Sequence, residues 1–190
     1  ALLFGLEILI HLLLDACNAY GVGWFEPFGH QRFSFHILFV ADPFFSIGSG
    51  VSLVLLMSLD SKSHARRFWI VFGLVVTSAY FLYAIANKLY IQRDTARALE
   101  RQNIAYTRLL TTPTPGNTWL WYVVAETDSG FQVSHRSTFD DRNQFLPLTY
   151  FPRRDDLLLP LESTHDVKQL KRFSQGYYTA ELWGDTLVFN

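Results

Sequence analysis

The stretch Phe68-Trp69-Ile70-Val71-Phe72-Gly73-Leu74-Val75-Val76-Thr77-Ser78-Ala79-Tyr80-Phe81-Leu82-Tyr83-Ala84-Ile85-Ala86-Asn87 carries no charged residue. As an α-helix rising about 1.5 Å per residue it reaches about 30 Å, the thickness of a bilayer's hydrocarbon layer. Trp69 at one end, and Tyr80, Tyr83 and Tyr90 towards the other, suit the two water interfaces. A buried core helix would read similarly, but the polar sequence remaining in residues 112–190 is too little to cover it.

Two further apolar runs lie upstream. Residues 37–59 are interrupted only by Asp42-Pro43, and Pro is tolerated in a membrane helix or in its first turn. Gly48 and Gly50 in this run allow another helix to approach closely. Residues 1–19 form the third run and contain Glu7, His11 and Asp15. The expectation is a membrane α-helical domain of about three transmembrane helices over residues 1–90, multi-pass, followed by a small β-rich C-terminal domain. The aromatic, Gly- and Pro-rich segment 20–36 is expected at the membrane interface or re-entering it. Lys62, Arg66 and Arg67 precede the third span, and Lys88, Arg93, Arg97 and Arg101 follow it. These basic groups fall on opposite faces, so the positive-inside rule sets no orientation.

Residues 91–111 read as an amphipathic connecting helix. Thr112-Pro113-Thr114-Pro115-Gly116-Asn117 breaks any helix and opens the β-rich domain, 112–190. Strands are expected at 119–125 and 131–135 around Asp128-Ser129-Gly130, a helix at 166–173, and a second hairpin at 177–182 and 186–189. Sixteen Lys and Arg against 17 Asp and Glu leave a net charge of −1, so no basic surplus points to nucleic acid. Cys17 is the single cysteine, which excludes a disulfide framework and suits apolar packing. Ala1 opens straight into apolar sequence without a basic leader, and both ends read as cut from a longer chain.

Glu7, His11 and Asp15 recur every four residues and so share one helical stripe, which Asn18 extends. A charge at the bilayer centre costs at least about 2.5–3.5 kcal/mol, so three of them need a common reason. A metal ion, a proton path, mutual pairing and solvation near a helix end all remain open. His11 and Asp15, nitrogen and oxygen donors one turn apart, suit a divalent ion, but a catalytic zinc takes about three protein ligands. Asp42 suits an N-cap ahead of Pro43, or a site carboxylate that orients a ligand histidine. Arg32 suits a bidentate clamp on phosphate or carboxylate, or contact with lipid headgroups. It shares its loop with His30 and His36. His64, His135 and His165 read as surface residues, and Arg153-Arg154-Asp155-Asp156 as a self-pairing loop. No Gly-rich phosphate loop, serine nucleophile elbow or His-Glu-x-x-His occurs.

The sequence His11-Leu12-Leu13-Leu14-Asp15, then Tyr20-Gly21, Pro27-Phe28, Arg32-Phe33 and Ala41-Asp42-Pro43-Phe44, resembles the bacterial membrane-bound, metal-dependent hydrolases of the inner membrane, some of them LexA-regulated. Thr112-Pro113-Thr114-Pro115 followed by Trp121, and the closing β-rich region, are similar to the family's longer members. The resemblance implies a divalent-metal site, zinc by its chemistry, with His11 and Asp15 as ligands and Asp42 and Arg32 close by. It implies a hydrolase but supplies no substrate; the first expectation is that a metal-bound hydroxide attacks an ester or phosphoester of a membrane lipid or lipid-linked substrate. The family's His-Arg-x-x-Thr-His-Ser element is not among these residues, so further ligands are expected upstream of Ala1, and His36 stands where an acidic or polar residue is expected. The competing expectation is a membrane-anchored scaffold whose β domain binds a partner. A proton-coupled carrier ranks behind both.

Overall fold

The computed structural model describes residues 2–29 and 31–190. Three helices come first: α1 (Leu2–Ala16), α2 (Pro43–Ser58) and α3 (Ala65–Arg101). An antiparallel sheet follows, in the order β1 (Arg108–Pro113), β2 (Leu120–Glu126), β3 (Gly130–Ser137) and β4 (Thr149–Pro152). Two short 3-10 turns, helix α4 (His165–Phe173) and the hairpin β5 (Ala180–Trp183) and β6 (Thr186–Phe189) complete the chain.

Among the described residues one helix, α3, is long and apolar enough to cross a membrane, where about three were expected. The reason lies in where the helices start. Asp42 accepts hydrogen bonds from the Phe44 and Phe45 amides, and Pro43 takes the first helical position. A residue before proline is pushed out of helical geometry, so residues 37–42 join the preceding loop. What remains of that run is a helix of 16 residues, about 24 Å long and short of the hydrocarbon layer. Helix α1, at 15 residues, is shorter still.

Helix α3 also absorbs most of the segment expected as a separate connector. Nothing between Lys88 and Arg101 breaks a helix, and Ala, Leu, Arg, Gln and Glu there favour one. The helix therefore runs unbroken for 37 residues, about 55 Å. Ile70, Val71, Leu74, Val75 and Leu82 point outward around its first half with nothing from this chain over them. So much bare apolar surface requires an apolar solvent. Helices α2 and α3 form an antiparallel hairpin. A Cβ on Gly48 would lie 2.6 Å from Val76 Cγ1, and one on Gly73 2.6 Å from Ser52 Oγ. Small residues thus set the approach, as expected for Gly48. Gly50 faces open space, and Gly73 supplies the second contact.

The second half of α3 is a docking rail for the sheet. One sheet face, carrying Leu109, Thr111, Trp121, Val123, Ala125 and Arg136, lies on it, and Ala98 and Leu99 pack against Ala125 and Leu146. Three polar contacts fix the seat. Asn87 Nδ2 donates to the Thr118 carbonyl at 3.0 Å, and Lys88 Nζ donates to Thr111 Oγ1 at 2.8 Å. The Arg136 guanidinium pairs with Asp94 at 2.6 Å, their side chains only 2% and 6% exposed. Arg136 also donates to the Asp141 carbonyl.

Strand β1 starts at Arg108, ahead of the Pro-rich boundary, and Pro113 is its last residue. The two expected hairpins form, strand 186–189 with the expected ends and the others with ends moved by one to three residues, and β4 adds a strand that was not anticipated.

Removing one partner of a buried ion pair leaves an uncompensated charge and costs about 3–5 kcal/mol, against less than about 1 kcal/mol for an exposed pair. Arg136→Ala is therefore expected to lower the thermal unfolding midpoint of the detergent-solubilised protein sharply. Arg154→Ala, which breaks only the exposed pair with Asp156, is expected to leave it nearly unchanged.

Candidate functional site

Because α2 and α3 are antiparallel, the C-terminal end of α1, the loop 17–42, the start of α2 and the β domain all gather at one end of the helical hairpin. The polar loop 60–64 lies at the other. Of the expected site residues, Asp15, Arg32 and Asp42 therefore lie towards that end of the hairpin, with His11 one turn further along α1.

On α1, His11 Nε2 and Asp15 Oδ2 are 3.3 Å apart, one helical turn apart, as the spacing implied. The pair points outward, with side chains 76% and 45% exposed. Of α1 only Ala16 is buried, and Leu2, Leu3, Phe4, Ile8 and Leu9 are bare. Glu7 is exposed one turn further in. No group of three or more His, Cys, Asp or Glu side chains converges among the described residues. The pair supplies two donor positions of suitable chemistry, one imidazole and one carboxylate, fewer than a catalytic zinc takes.

The loop after α1 is folded rather than slack. Asn18 Oδ1 accepts from the Tyr20 and Gly21 amides, and Val22 and Phe33 exchange both backbone hydrogen bonds at 3.0 Å. Gly21 is left-handed (φ 65°) with the Phe33 carbonyl hard against it, so a side chain there would clash. Arg32 closes this loop: Nε donates to the Tyr20 carbonyl at 3.0 Å and Nη2 to the Gly21 carbonyl at 2.9 Å. Its guanidinium lies 5.9 Å from the Phe173 ring at the end of α4, and Arg172 of α4 pairs with Glu26. A guanidinium has five N–H donors, so Arg32 retains donors for an anion. His30 lies outside the described residues.

Asp42 is only 3% exposed and does more than cap α2. Its Oδ1 receives the Phe44 and Phe45 amides, while Oδ2 accepts from the Tyr80 hydroxyl at 2.7 Å. Phe44 stacks on Tyr80 and meets Trp119 edge-on at 4.8 Å, and Trp119 Nε1 donates to the Tyr83 hydroxyl. The carboxylate thus ties α2 to α3, and the contacts of Phe44 and Tyr83 with Trp119 bring the β domain into the same aromatic belt. Tyr80 and Tyr83 read as interfacial anchors in the sequence. Their hydrogen bonds to Asp42 and Trp119 carry no sequence signal, since the partners lie 38 and 36 residues away.

The outer face of the sheet lines an open cavity of about 520 Å³, bordered by the end of α4, residues 177–181 and the loop after α1. Its wall is rich in aromatic residues, with Tyr20, Tyr122, Phe131, Phe151, Phe173 and Tyr177 among those that line it. This size falls within the range of about 300–1,000 Å³ usual for small-molecule sites. At the rim, Glu126 receives both Arg108 and Arg153. Burial works to raise its pKa, but those hydrogen bonds prevail and hold it below the ordinary glutamate value. His36, left-handed at φ 51°, reaches the wall with Nδ1 buried and without a hydrogen-bond partner. Burial, and then the charge on Lys88, push its pKa down to about 4.

Residues 1–91 match a family described as YdjM inner membrane protein. The matched stretch holds α1, α2, the membrane-crossing half of α3, and every expected site residue, and it ends before the sheet begins. Comparison with curated proteins and with solved structures gives no match.

His36 is expected to stay neutral until about pH 4, read from its ring-carbon NMR shifts. The unfolded chain, titrating near the usual value of about 6.5, takes up the proton first. Stability is thus expected to fall as pH drops from about 6.5 towards 4. Lys88→Met is expected to move the His36 midpoint upward.

Proposed function

We propose that this chain belongs to a bacterial inner-membrane, divalent-metal-dependent hydrolase that acts on an ester or phosphoester of a membrane-associated substrate. The observation that carries the reading is the outward-facing His11–Asp15 pair. Two groups that are costly in lipid stand 3.3 Å apart on an otherwise bare apolar helix. The similarity of residues 1–91 to an inner-membrane family supports the location. Entry of α1 and α2 into the bilayer beside α3 is part of the proposal, since both helices present apolar side chains that nothing in this chain covers.

His11 and Asp15 would hold one side of a divalent ion, zinc by the chemistry of the donors, with the other ligands supplied from beyond the described residues. Bound there, such an ion supplies a Lewis acid and an acidified water. Asp15 would keep the imidazole of His11 oriented. Asp42, held by Tyr80 and two amides, offers a fixed carboxylate at the same membrane face as base or orienting group. Arg32, anchored on Tyr20 and Gly21, would steady the anionic part of the substrate with its remaining N–H donors.

The scaffold alternative is favoured by one observation, the aromatic cavity over the outer sheet face. If it holds the functional ligand, filling it with Val133→Trp is expected to abolish function while metal content stays as in the wild type.

Metal analysis of the purified full-length protein tests the first reading. Stoichiometric zinc or another divalent metal is expected in the wild type, and its loss in His11→Ala and Asp15→Ala with unchanged circular dichroism. Equal metal in all three would end the proposal.

A further inference from the structure

Helix α3 leaves the apolar stretch at Asn87 and carries Arg93, Arg97 and Arg101 at steps of four, a single basic stripe. Like charges at this spacing destabilise a helix, so the stripe needs a countercharge. Among the described residues no carboxylate pairs with Arg93, Arg97 or Arg142. Of the acids nearby, Asp94 is buried and held by Arg136, and Asp140 also faces Arg136. Neither Glu100 nor Asp141 forms an ion pair with Arg93, Arg97 or Arg142 among the described residues.

The β domain adds to the charge instead of cancelling it. Arg101 Nη2 donates to the Arg142 carbonyl at 2.7 Å, drawing the turn after β3 against α3. The Arg142 guanidinium then lies 5.7 Å from the centre of the Tyr90 ring. Arg93, Arg97 and Arg142 converge on a notch of about 380 Å³ whose remaining wall is Ala86, Leu89, Tyr90 and Asp94.

Depth decides what fills it. Headgroup layers extend a bilayer from about 30 Å to about 40–45 Å, so each is about 5–8 Å deep. Arg93 stands six residues past Asn87, about 9 Å along the axis. Side chains on a helix lean towards its N-terminus, which here is towards the membrane. The Arg93 guanidinium therefore hangs at headgroup level. Arg97, about 15 Å along the axis, leans back towards it from outside that layer. The planar forks of both match phosphate oxygens.

We infer that the notch between Arg93, Arg97 and Arg142 is a binding site for the phosphate group of an anionic membrane lipid. The site depends on α3 crossing the membrane and is independent of any metal at His11 and Asp15. A bound lipid would bridge α3 and the turn after β3, so it would also stabilise the seat of the β domain.

The test uses the full chain in phosphatidylcholine nanodiscs with and without phosphatidylglycerol, and in phosphatidylcholine with added inorganic phosphate. Native mass spectrometry reads retained phosphatidylglycerol, and thermal unfolding reads stability. The wild type is expected to retain the lipid and to melt higher when it is present, with no response to inorganic phosphate. Arg93→Gln/Arg97→Gln/Arg142→Gln is expected to lower retention at least about tenfold. Lys62→Gln/Arg67→Gln, which removes the same kind of charge from the opposite end of α3, is expected to keep it. Melting in pure phosphatidylcholine checks that each variant folds. Should the triple variant misfold, Arg93→Lys/Arg97→Lys, which keeps the charge but loses the forks, is expected to weaken retention. Equal retention in all variants, equal loss in the Lys62/Arg67 control, or an equal response to inorganic phosphate would overturn the inference.

Discussion

One buried contact, Arg136 on Asp94, organises this protein. It sits on α3 seven residues past the end of the apolar stretch, where the helix has left the hydrocarbon and met the sheet. An unpaired charge at that depth would be prohibitive, so sheet and helix extension stabilise each other or neither stands. Asn87 on Thr118 and Lys88 on Thr111 repeat the logic nearer the membrane. The β domain is consequently fastened to a rod whose other half is solvated by lipid. Loop 17–42, Asp42 and the aromatic cavity all take their positions from that seat.

The seat also concentrates polar chemistry at one membrane face. The His11–Asp15 pair, the Arg32-closed loop, the Asp42–Tyr80 bond and the basic notch on α3 lie at the same end of the helical hairpin, while its other end offers only a short loop. A lipid or lipid-linked molecule at that face would meet an aromatic cavity, arginines and a candidate metal pair without leaving the interface. The proposed reaction on a membrane-associated substrate rests on the His11–Asp15 pair, and the convergence at this end of the hairpin is in keeping with it.

Local signals carried the sequence reading where the outcome is itself local. Twenty uncharged residues marked the span within α3, and Asp128-Ser129-Gly130 and Trp183-Gly184-Asp185 marked two hairpins. Asp42-Pro43 was legible as a cap. Its effect on the count of spans was not, because the apolar run before it reads as continuous hydrophobicity until the proline's geometry is imposed. The end of α3 was misplaced because residues 102–110 have no strong breaker. The helix stops at Gln102 and turns on left-handed Asn103, and β1 forms because β2 is there to pair with it. Strand β4 is too short, and too near a proline, to announce itself. Arg136, Trp119 and Glu126 drew no notice because their roles depend on partners 18 to 42 residues away. Arg32 reads as a ligand clamp from its residue type, while its hydrogen bonds go to the Tyr20 and Gly21 carbonyls of its own loop, a pairing across 11 and 12 residues that leaves no local signal.

The most direct test of the rigid rod is a distance. Spin labels at Arg67 and Glu100, both exposed on α3, are separated by 33 residues, about 50 Å along an unbroken helix. Pulsed electron paramagnetic resonance in nanodiscs should give one narrow distribution near that distance. A broad or clearly shorter distribution would mean that α3 bends or breaks where it leaves the membrane, and the β domain would then have no fixed seat.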